Sequence, residues 1–306
     1  MWHKIAEEAY TYGRSFLADG KIADYIPELG KGDPDRLGLC IYTTSGREIL
    51  IGDTETRFSM QSISKVVMLA AALQRLGFDE VFSHVLMEPS GDAFNSIMKL
   101  DTASNLPYNP MINAGAIAVA GMLEPILSFG ELLEETRILC KDPDITLNES
   151  VYRSESETGD RNRAISFLLK SKGVMVGDPE TSVDLYFRMC SLNVNARSLA
   201  RFALILANGG VDPDTGDRLM DEYVTRTVKT LMLTCGMYDG SGAFAVRAGI
   251  PAKSGVGGGI MACAEHRAGL ATFGPSLDEK GNSIGGLNVL EYLSRELHLH
   301  IFDRII

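Results

Sequence analysis

The middle of the chain carries apolar residues at helical spacing, separated by short polar turns. Leu199, Phe202 and Leu206 are one example, and the glycine pair that follows them is typical of a helix end. The same spacing predicts helices over 64–76, 78–87, 111–124, 128–140, 160–171, 180–191 and 195–207. The stretch 153–163 is very polar and, on its own, predicts a solvated loop that leads into a helix.

The two ends of the chain combine strands with one helix each. Before residue 60 the pattern predicts a helix over about 3–18, a Gly/Pro-rich connection, and strands at 37–43 and 48–51. The last third of the chain is expected to hold glycine-rich strands and a closing helix. These are strands at 242–248, 257–264 and 269–274 and a helix at about 286–301.

This order of elements predicts an α+β fold. An antiparallel sheet flanked by the N- and C-terminal helices, with an all-helical domain inserted after the second strand, satisfies it. We expect the sheet domain to comprise residues 1–60 and 221–306, and the helical domain residues 61–220. Because pockets commonly form where two such parts meet, the active site is expected between them.

Composition and charge narrow the functional class. A formal net charge of −11 over 306 residues argues against a nucleic-acid surface. Five scattered cysteines suit a reduced compartment, and the N-terminus begins with an amphipathic helical pattern rather than a signal peptide. The longest apolar runs, 66–73 and 114–123, are too short to cross a membrane. The sequence therefore predicts a cytoplasmic protein without a membrane partner.

A serine and a lysine three residues apart precede the apolar run at 66–73. At this spacing they share one face of a helix, so the Ser62 hydroxyl and the Lys65 amine would lie side by side. A lysine kept neutral by burial can remove the serine proton, and backbone amides at a helix start can hold an oxyanion. Ser-x-x-Lys also occurs in serine acyl-enzymes of the β-lactamase and penicillin-binding type.

The Ser-x-x-Lys spacing occurs a second time, at Ser96 and Lys99. Ser62 follows a predicted strand pair and begins a helix, whereas Ser96 lies in a polar segment after a turn. We therefore assign the nucleophile to Ser62 and reject Ser96.

Two glycine-rich segments add candidates. Tyr238 lies between glycines just before a predicted strand, where it could approach a catalytic centre or be a core aromatic residue. Lys253-Ser254-Gly255 resembles the Lys-Thr-Gly motif of penicillin-recognising enzymes. A phosphate-binding loop is the competing interpretation, but no glycine directly precedes the lysine.

Together these motifs resemble those of the serine-dependent glutaminases, which hydrolyse L-glutamine to L-glutamate and ammonia on a β-lactamase-like fold. The resemblance extends from residue 21 to the C-terminal helix. Its main segments are 109–117, 155–162, 184–187, 235–239 and 252–259. It implies a compact bacterial-type enzyme that needs no cofactor or metal and forms a homodimer or homotetramer.

The resemblance also implies a role for each candidate residue. Ser62 is then the nucleophile, Lys65 its partner and Tyr238 a proton shuttle. The backbone amides of Ser62 and Val256 form the implied oxyanion hole. The implied glutamine pocket consists of Tyr25, Asn113, Glu155, Asn162, Tyr186 and Tyr238.

The chemistry of free glutamine agrees with this set. Glu155 suits the α-ammonium as a charge-assisted acceptor, while asparagine amides and tyrosine hydroxyls suit the carboxylate. Without the resemblance, Tyr25 could simply pack under a turn and Asn113 could bond locally in its helix.

Two other functions are compatible with the same motifs. A penicillin-binding or β-lactamase-type hydrolase predicts covalent labelling of Ser62 by a penicillin. A catalytically silent glutamine-binding protein predicts saturable binding of glutamine without release of ammonia. The predicted pocket and the intact catalytic set favour a glutaminase.

Overall fold

The computed structural model describes residues 1–90 and 105–303. Its helices are α1 (Trp2–Arg14), α2 (Ser64–Leu76), α3 (Phe78–His84), α4 (Asn113–Leu123), α5 (Phe129–Cys140), α6 (Glu149–Thr158), α7 (Asp160–Ser171), α8 (Pro179–Cys190), α9 (Ala196–Ala207), α10 (Glu222–Cys235), α11 (Ser241–Arg247) and α12 (Ile284–Leu297). Its strands are β1 (Gly38–Thr43), β2 (Glu48–Gly52), β3 (Phe58–Ser59), β4 (Asn193–Val194), β5 (Ala252–Ser254), β6 (Gly259–Ala264) and β7 (Ala268–Phe273).

An antiparallel sheet joins the two ends of the chain. Its order within the described residues is β2-β1-β7-β6-β5, so that β1 pairs with β7 from the C-terminal part. Neighbouring residues of a strand point to opposite faces. Leu39 and Ile41 of β1 therefore join the core with α1 and α12, while Cys40 and Tyr42 join the core of the helical part. Both faces of the sheet are covered, and β5 lies at its edge.

α2 and α4 form the centre of the helical part. Every residue of α4 is buried, and so is α2 from Ser64 to Leu73. A helix that is apolar on all sides has to lie inside the protein. Lys65 and Asn113 occupy the first turns of these two helices, so two strongly polar side chains are carried into the core.

The expected fold class is confirmed, since α1 and α12 flank an antiparallel sheet and a helical part follows the second strand. The division into a sheet domain (1–60 and 221–306) and a helical domain (61–220) stays a prediction. The predicted helices at 3–18, 78–87 and 286–301 end earlier in the structure, by a few residues each. None of the described helices is long and apolar enough to cross a membrane.

The segment predicted as a strand at 242–248 is a helix, so that prediction was wrong. α11 and its flank bury Ser241, Phe244 and Ala248, whereas Val246 is 80% exposed. Burial every three to four residues is the period of a helix, not of a strand. The period is hard to recognise in the sequence because most residues here are small.

Two helices are missing from the sequence prediction. α6 covers much of the polar stretch expected to be a loop, and it turns Val151 and Glu155 inward. α10 is rich in threonine, a poor helix former. Its helical state follows from tertiary packing, because Val228 and Met232 on its buried face belong to the same core as α2.

Candidate active site

The candidate nucleophile lies in a tight turn at the start of α2. Gln61–Ile63 form one turn of 3₁₀ helix that continues directly into α2. Gln61 has a φ of 48°, a left-handed conformation that is costly for a residue with a side chain. The turn is anchored from outside, because the Met60 amide donates to the Leu192 carbonyl at 2.8 Å. Ser62 is only 5% exposed.

Lys65 is buried, and no carboxylate within the described ranges accepts a hydrogen bond from its amine. Its Nζ donates to Asn113 Oδ1 at 2.7 Å and to the Met111 carbonyl at 3.2 Å. Burial lowers the pKa of Lys65 to about 8, against the opposing charges of Cys190 and Glu155. About a tenth of the amine is therefore neutral at pH 7, far more than for an exposed lysine, and a base requires the neutral form. That the amine lies directly beside the Ser62 hydroxyl stays a prediction.

Tyr238 lies close to Ser62. It begins a 3₁₀ turn, Tyr238–Gly240, and has a left-handed φ of 55°. Burial raises the pKa of Tyr238, while the neighbouring Ser62 and Ser254 hydroxyls and the Val256 amide lower it. The phenol therefore lies between the candidate nucleophile and the strand β5 that leads to Val256.

A second buried lysine lies beneath Tyr238. Lys253 donates from Nζ to the carbonyls of Ser254, at 2.6 Å, and Gly236, at 3.1 Å. The same Nζ lies 4.6 Å from the centroid of the Tyr238 ring. Burial lowers the pKa of Lys253 well below its usual value, and the charge of Lys65 lowers it further.

One pocket of about 220 Å³ brings most candidate residues together. Seven of the predicted site residues line it: Tyr25, Ser62, Asn113, Glu155, Asn162, Tyr186 and Val256. Lys65 and Tyr238 do not line the pocket themselves. Lys65 donates to Asn113, which lines it, and Tyr238 lies beside Ser62, which lines it too. Tyr25 is half exposed and lies at the mouth.

Asn113 connects the polar groups of the pocket. Its Oδ1 accepts from Lys65 and, at 3.2 Å, from the Tyr186 hydroxyl. Its Nδ2 donates to Asn162 Oδ1 at 3.1 Å. One amide at the start of α4 therefore fixes groups from α2, α7 and α8. Because Lys65 and Tyr186 both donate to the oxygen, the orientation of the amide is set by its partners.

Glu155 is the carboxylate of the pocket. It is 6% exposed and accepts from Gln61 Nε2 at 3.1 Å. Burial raises the pKa of Glu155 to about 7, while the Gln61 hydrogen bond and the charge of Lys65 lower it. A buried carboxylate that faces a pocket favours a positively charged ligand group.

Comparison with known proteins assigns the chain to a family. The family model described as Glutaminase matches residues 20–302. Glutaminase 2 of Clostridium perfringens is 52% identical over 300 residues, which cover 97% of this chain and 98% of that protein. The chain belongs to the glutaminase family. The resemblance found in the sequence is thereby confirmed, and the expected enzyme class, glutaminase, with it.

Solved glutaminase structures have the same fold. The probable glutaminase ybaS aligns with a TM-score of 0.93 at 35% identity, covering 98% of each chain. The Bacillus subtilis glutaminase YbgJ, in a covalent complex with 5-oxo-L-norleucine, aligns with a TM-score of 0.89 at 36% identity. That alignment covers 98% of this chain and 99% of that chain. The β-lactamase-like fold expected of this glutaminase family member is confirmed.

Three residues at this glutaminase site received no role from the sequence. Gln61 contacts Glu155, Arg161 lines the pocket at its exposed rim, and Lys253 lies against Tyr238. The Lys-Ser-Gly motif marks Lys253 as a candidate. The only signal in the sequence for Gln61 is that it directly precedes Ser62, the candidate nucleophile. Arg161 lies in a charged stretch that offers no distinguishing pattern.

The rejected pair Ser96 and Lys99 lies outside the described residues. Within the described residues, no group of three or more His, Cys, Asp or Glu side chains is arranged to hold a metal ion.

Proposed function

We propose that this glutaminase family member hydrolyses L-glutamine to L-glutamate and ammonia through a γ-glutamyl ester on Ser62. One observation carries the proposal: Ser62 shares a single small pocket with Glu155, Asn113, Asn162 and Tyr186. The cavity thus combines a nucleophile with groups suited to both charged ends of a free amino acid.

In the proposed complex the two ends of glutamine take opposite sides of the pocket. The α-ammonium binds the buried Glu155 carboxylate. The α-carboxylate accepts hydrogen bonds from Asn162 and Tyr25, and Arg161 at the rim adds a positive charge on that side. The side-chain amide then extends toward Ser62.

Ser62 is activated by Lys65 and Tyr238 acting together. The lowered pKa of Lys65 supports its role as the base, and Tyr238 is placed to pass the proton because it lies beside the Ser62 hydroxyl. The Ser62 oxygen attacks the amide carbon, and the backbone amides of Ser62 and Val256 hold the resulting oxyanion. Each such donor contributes about 3–4 kcal/mol to transition-state stabilisation.

The proton then follows the leaving group. The carbon–nitrogen bond breaks as the Lys65–Tyr238 pair returns the proton to nitrogen, so that ammonia departs and the γ-glutamyl ester remains. A water molecule next gives a proton to the same pair and attacks the ester carbon. The bond to the Ser62 oxygen breaks, the proton returns to that oxygen, and glutamate leaves.

We further propose that the protein acts in the cytoplasm as a homodimer or homotetramer. Its five cysteines are buried free thiols, which suits a reducing compartment. The oligomeric state is the one that the family resemblance implies. Light scattering on the eluting peak of a sizing column measures the mass directly, and a monomer at micromolar concentration would contradict the oligomer.

The decisive experiment measures ammonia and glutamate released from L-glutamine, with L-asparagine and a chromogenic cephalosporin in parallel. We expect turnover of glutamine alone, and none in Ser62→Ala. Since YbgJ forms its covalent complex by reaction with 6-diazo-5-oxo-L-norleucine, the same reagent is expected to add one label to Ser62, located by peptide mass spectrometry. Turnover of only the cephalosporin would favour the β-lactamase-type hydrolase. Binding of glutamine without release of ammonia would favour the silent binding protein.

A further inference from the structure

The Gln61 side chain reaches from the nucleophile turn to the carboxylate of the pocket. Its Nε2 donates to Glu155 Oε2 at 3.1 Å, although the two residues are 94 positions apart in the chain. Both are buried, with 3% and 6% of their surface exposed. Hydrogen bonds to a charged group in such surroundings are among the stronger ones in proteins.

The stem of Gln61 has little freedom. A Cβ added at Gly255 would lie 3.4 Å from Gln61 Cβ, and one added at Gly257 would lie 3.5 Å from Gln61 Cγ. The glycine backbone on both sides of Val256 therefore leaves the stem only about the space of one methyl group on this side. With its φ in the left-handed region as well, the side chain is held in place at both its backbone and its amide.

The nearby Lys65 amine does not hydrogen-bond to Glu155. Lys65 is close enough for its charge to lower the pKa of the carboxyl, but its hydrogen bonds go to Asn113 and Met111. Among the described residues, Gln61 is the side chain that donates to Glu155. A carboxylate accepts about four hydrogen bonds, so its remaining capacity is left for a ligand in the pocket.

We propose that Gln61 is a positioning residue that holds the Glu155 carboxylate toward the substrate's α-ammonium. It thereby links the ammonium subsite to the turn that carries Ser62. This rests on the proposed function, in which Glu155 binds that ammonium. A ligand without an α-ammonium gains nothing from the Gln61–Glu155 contact, and this difference separates positioning from general support of the fold.

The test compares two competitive inhibitors of glutamine hydrolysis, L-glutamate and glutarate, which differ only in the α-ammonium. In Gln61→Met, which keeps the volume but removes the donor, we expect the inhibition constant of L-glutamate to rise about tenfold to a hundredfold. We expect the inhibition constant of glutarate to stay within about twofold of the wild-type value. Equal weakening of both inhibitors, or of neither, overturns the proposal. Gln74→Met, the same exchange at an exposed position of α2, is the matched control and leaves both constants unchanged.

A second variant keeps the test decisive if Gln61→Met does not fold. Gln61→Glu places a carboxyl where the amide was, and this carboxyl donates to Glu155 only when protonated. The groups that face Glu155 are Lys65 of α2, Tyr186 and Cys190 of α8, and Tyr25. We expect kcat/KM of the variant relative to the wild type to fall at least about tenfold between about pH 6 and pH 8. A constant ratio overturns the proposal.

Failure of the proposed function has a different result. Glu155→Gln removes the anion itself and is expected to abolish the preference for L-glutamate over glutarate. If Glu155→Gln leaves that preference intact, the ammonium subsite is misassigned. If it abolishes the preference while Gln61→Met does not change it, only the positioning role of Gln61 is wrong.

Discussion

Lys65 and Lys141 show how one residue type acquires opposite properties in two regions of this molecule. Lys65 lies in the core, its amine bonded to an amide oxygen and a carbonyl. Lys141 lies on the surface, its side chain 27% exposed, and its amine contacts Asp212 at 2.6 Å and Asp214 at 2.9 Å. Burial lowers the pKa of Lys65 to about 8. At Lys141 burial also acts to lower the pKa, but the two aspartates outweigh it and raise the pKa.

The difference lies in the partners. Neutral oxygens accept hydrogen bonds from an ammonium but supply no negative charge to hold its proton, so burial determines the pKa of Lys65. At Lys141 two carboxylates supply that charge, and their attraction outweighs the small loss of hydration. The surroundings of Lys141 continue the pattern, with Arg57 on Asp142 and Arg201 on Asp214. The interior region around Lys65 is therefore suited to proton transfer. The surface region around Lys141 is suited to holding fixed charges.

The largest effect is expected at Ser62, the proposed nucleophile in the core around Lys65. Ser62→Ala should reduce ammonia release by at least about 10⁴-fold, because no other group can form the ester. Thermal unfolding monitored by circular dichroism checks that the fold persists. Ser96→Ala, at the rejected Ser-x-x-Lys pair, is the control and should keep normal turnover. Normal ammonia release by Ser62→Ala would contradict the assignment of Ser62 as the nucleophile.

The base itself comes next. Lys65→Met is expected to lower kcat by about 10²–10⁴-fold, the usual contribution of a general base. Lys65→Arg should not restore it, because a guanidinium stays protonated in proteins. The measurement is kcat from steady-state ammonia release. An arginine variant with near-normal kcat would show that the region needs a fixed charge, as the Lys141 region does, and not a base.

The pH dependence follows from the interior pKa values. Lys65 must be neutral to act, so kcat should rise as pH increases through about 8. Glu155 must be ionised to bind ammonium, so kcat/KM should fall further as pH drops below about 7. The two charges interact, so the apparent values belong to the pair. Profiles measured in constant ionic strength test this, and a rate that is flat across both values would contradict it.

The smallest effect is expected in the surface region. Lys141→Met should lower the free energy of unfolding by about 1–3 kcal/mol. The side chain of Asp212 is 5% exposed and loses its cation, but it keeps its hydrogen bonds with the Asp214 amide and the Thr215 hydroxyl. Glutamine turnover should not change. Urea unfolding at low and high salt gives the comparison. A loss beyond this range, or a loss of activity, would mean that the two regions are coupled.

Much of the fold could be predicted from apolar spacing alone. The helix at 64–76 and the strands at 257–264 and 269–274 are reproduced closely, because long apolar periods and glycine boundaries are strong signals. α10 could not be predicted, because its threonines favour strands by propensity. In the structure, Thr227 and Thr230 instead donate to the carbonyls of Tyr223 and Arg226 one turn earlier.

The residues of the candidate site were harder to predict from the sequence than the fold. The spacing of Ser62 and Lys65 indicated chemistry, but nothing in the spacing of Asn113, Asn162 and Tyr186 predicts that they meet. Their contact depends on how α4, α7 and α8 pack, which a single sequence does not encode locally. It was the family resemblance that connected them. For Gln61 the sequence offers only its position directly before Ser62, because a glutamine there belongs to no characteristic motif.

The edge strand β5 has a consequence for what can pair with the sheet. An edge strand with free amides can pair with any extended chain, whether a peptide substrate or another copy of the protein. Here the strand has three residues, and the outward amide of Ser254 already donates to the Gly236 carbonyl at 3.1 Å. A peptide therefore finds no free amide at Ser254 with which to extend the sheet. The same bond that shapes the turn before Tyr238 thus disfavours extension of the sheet at this position, whether by a peptide or by another copy of the protein.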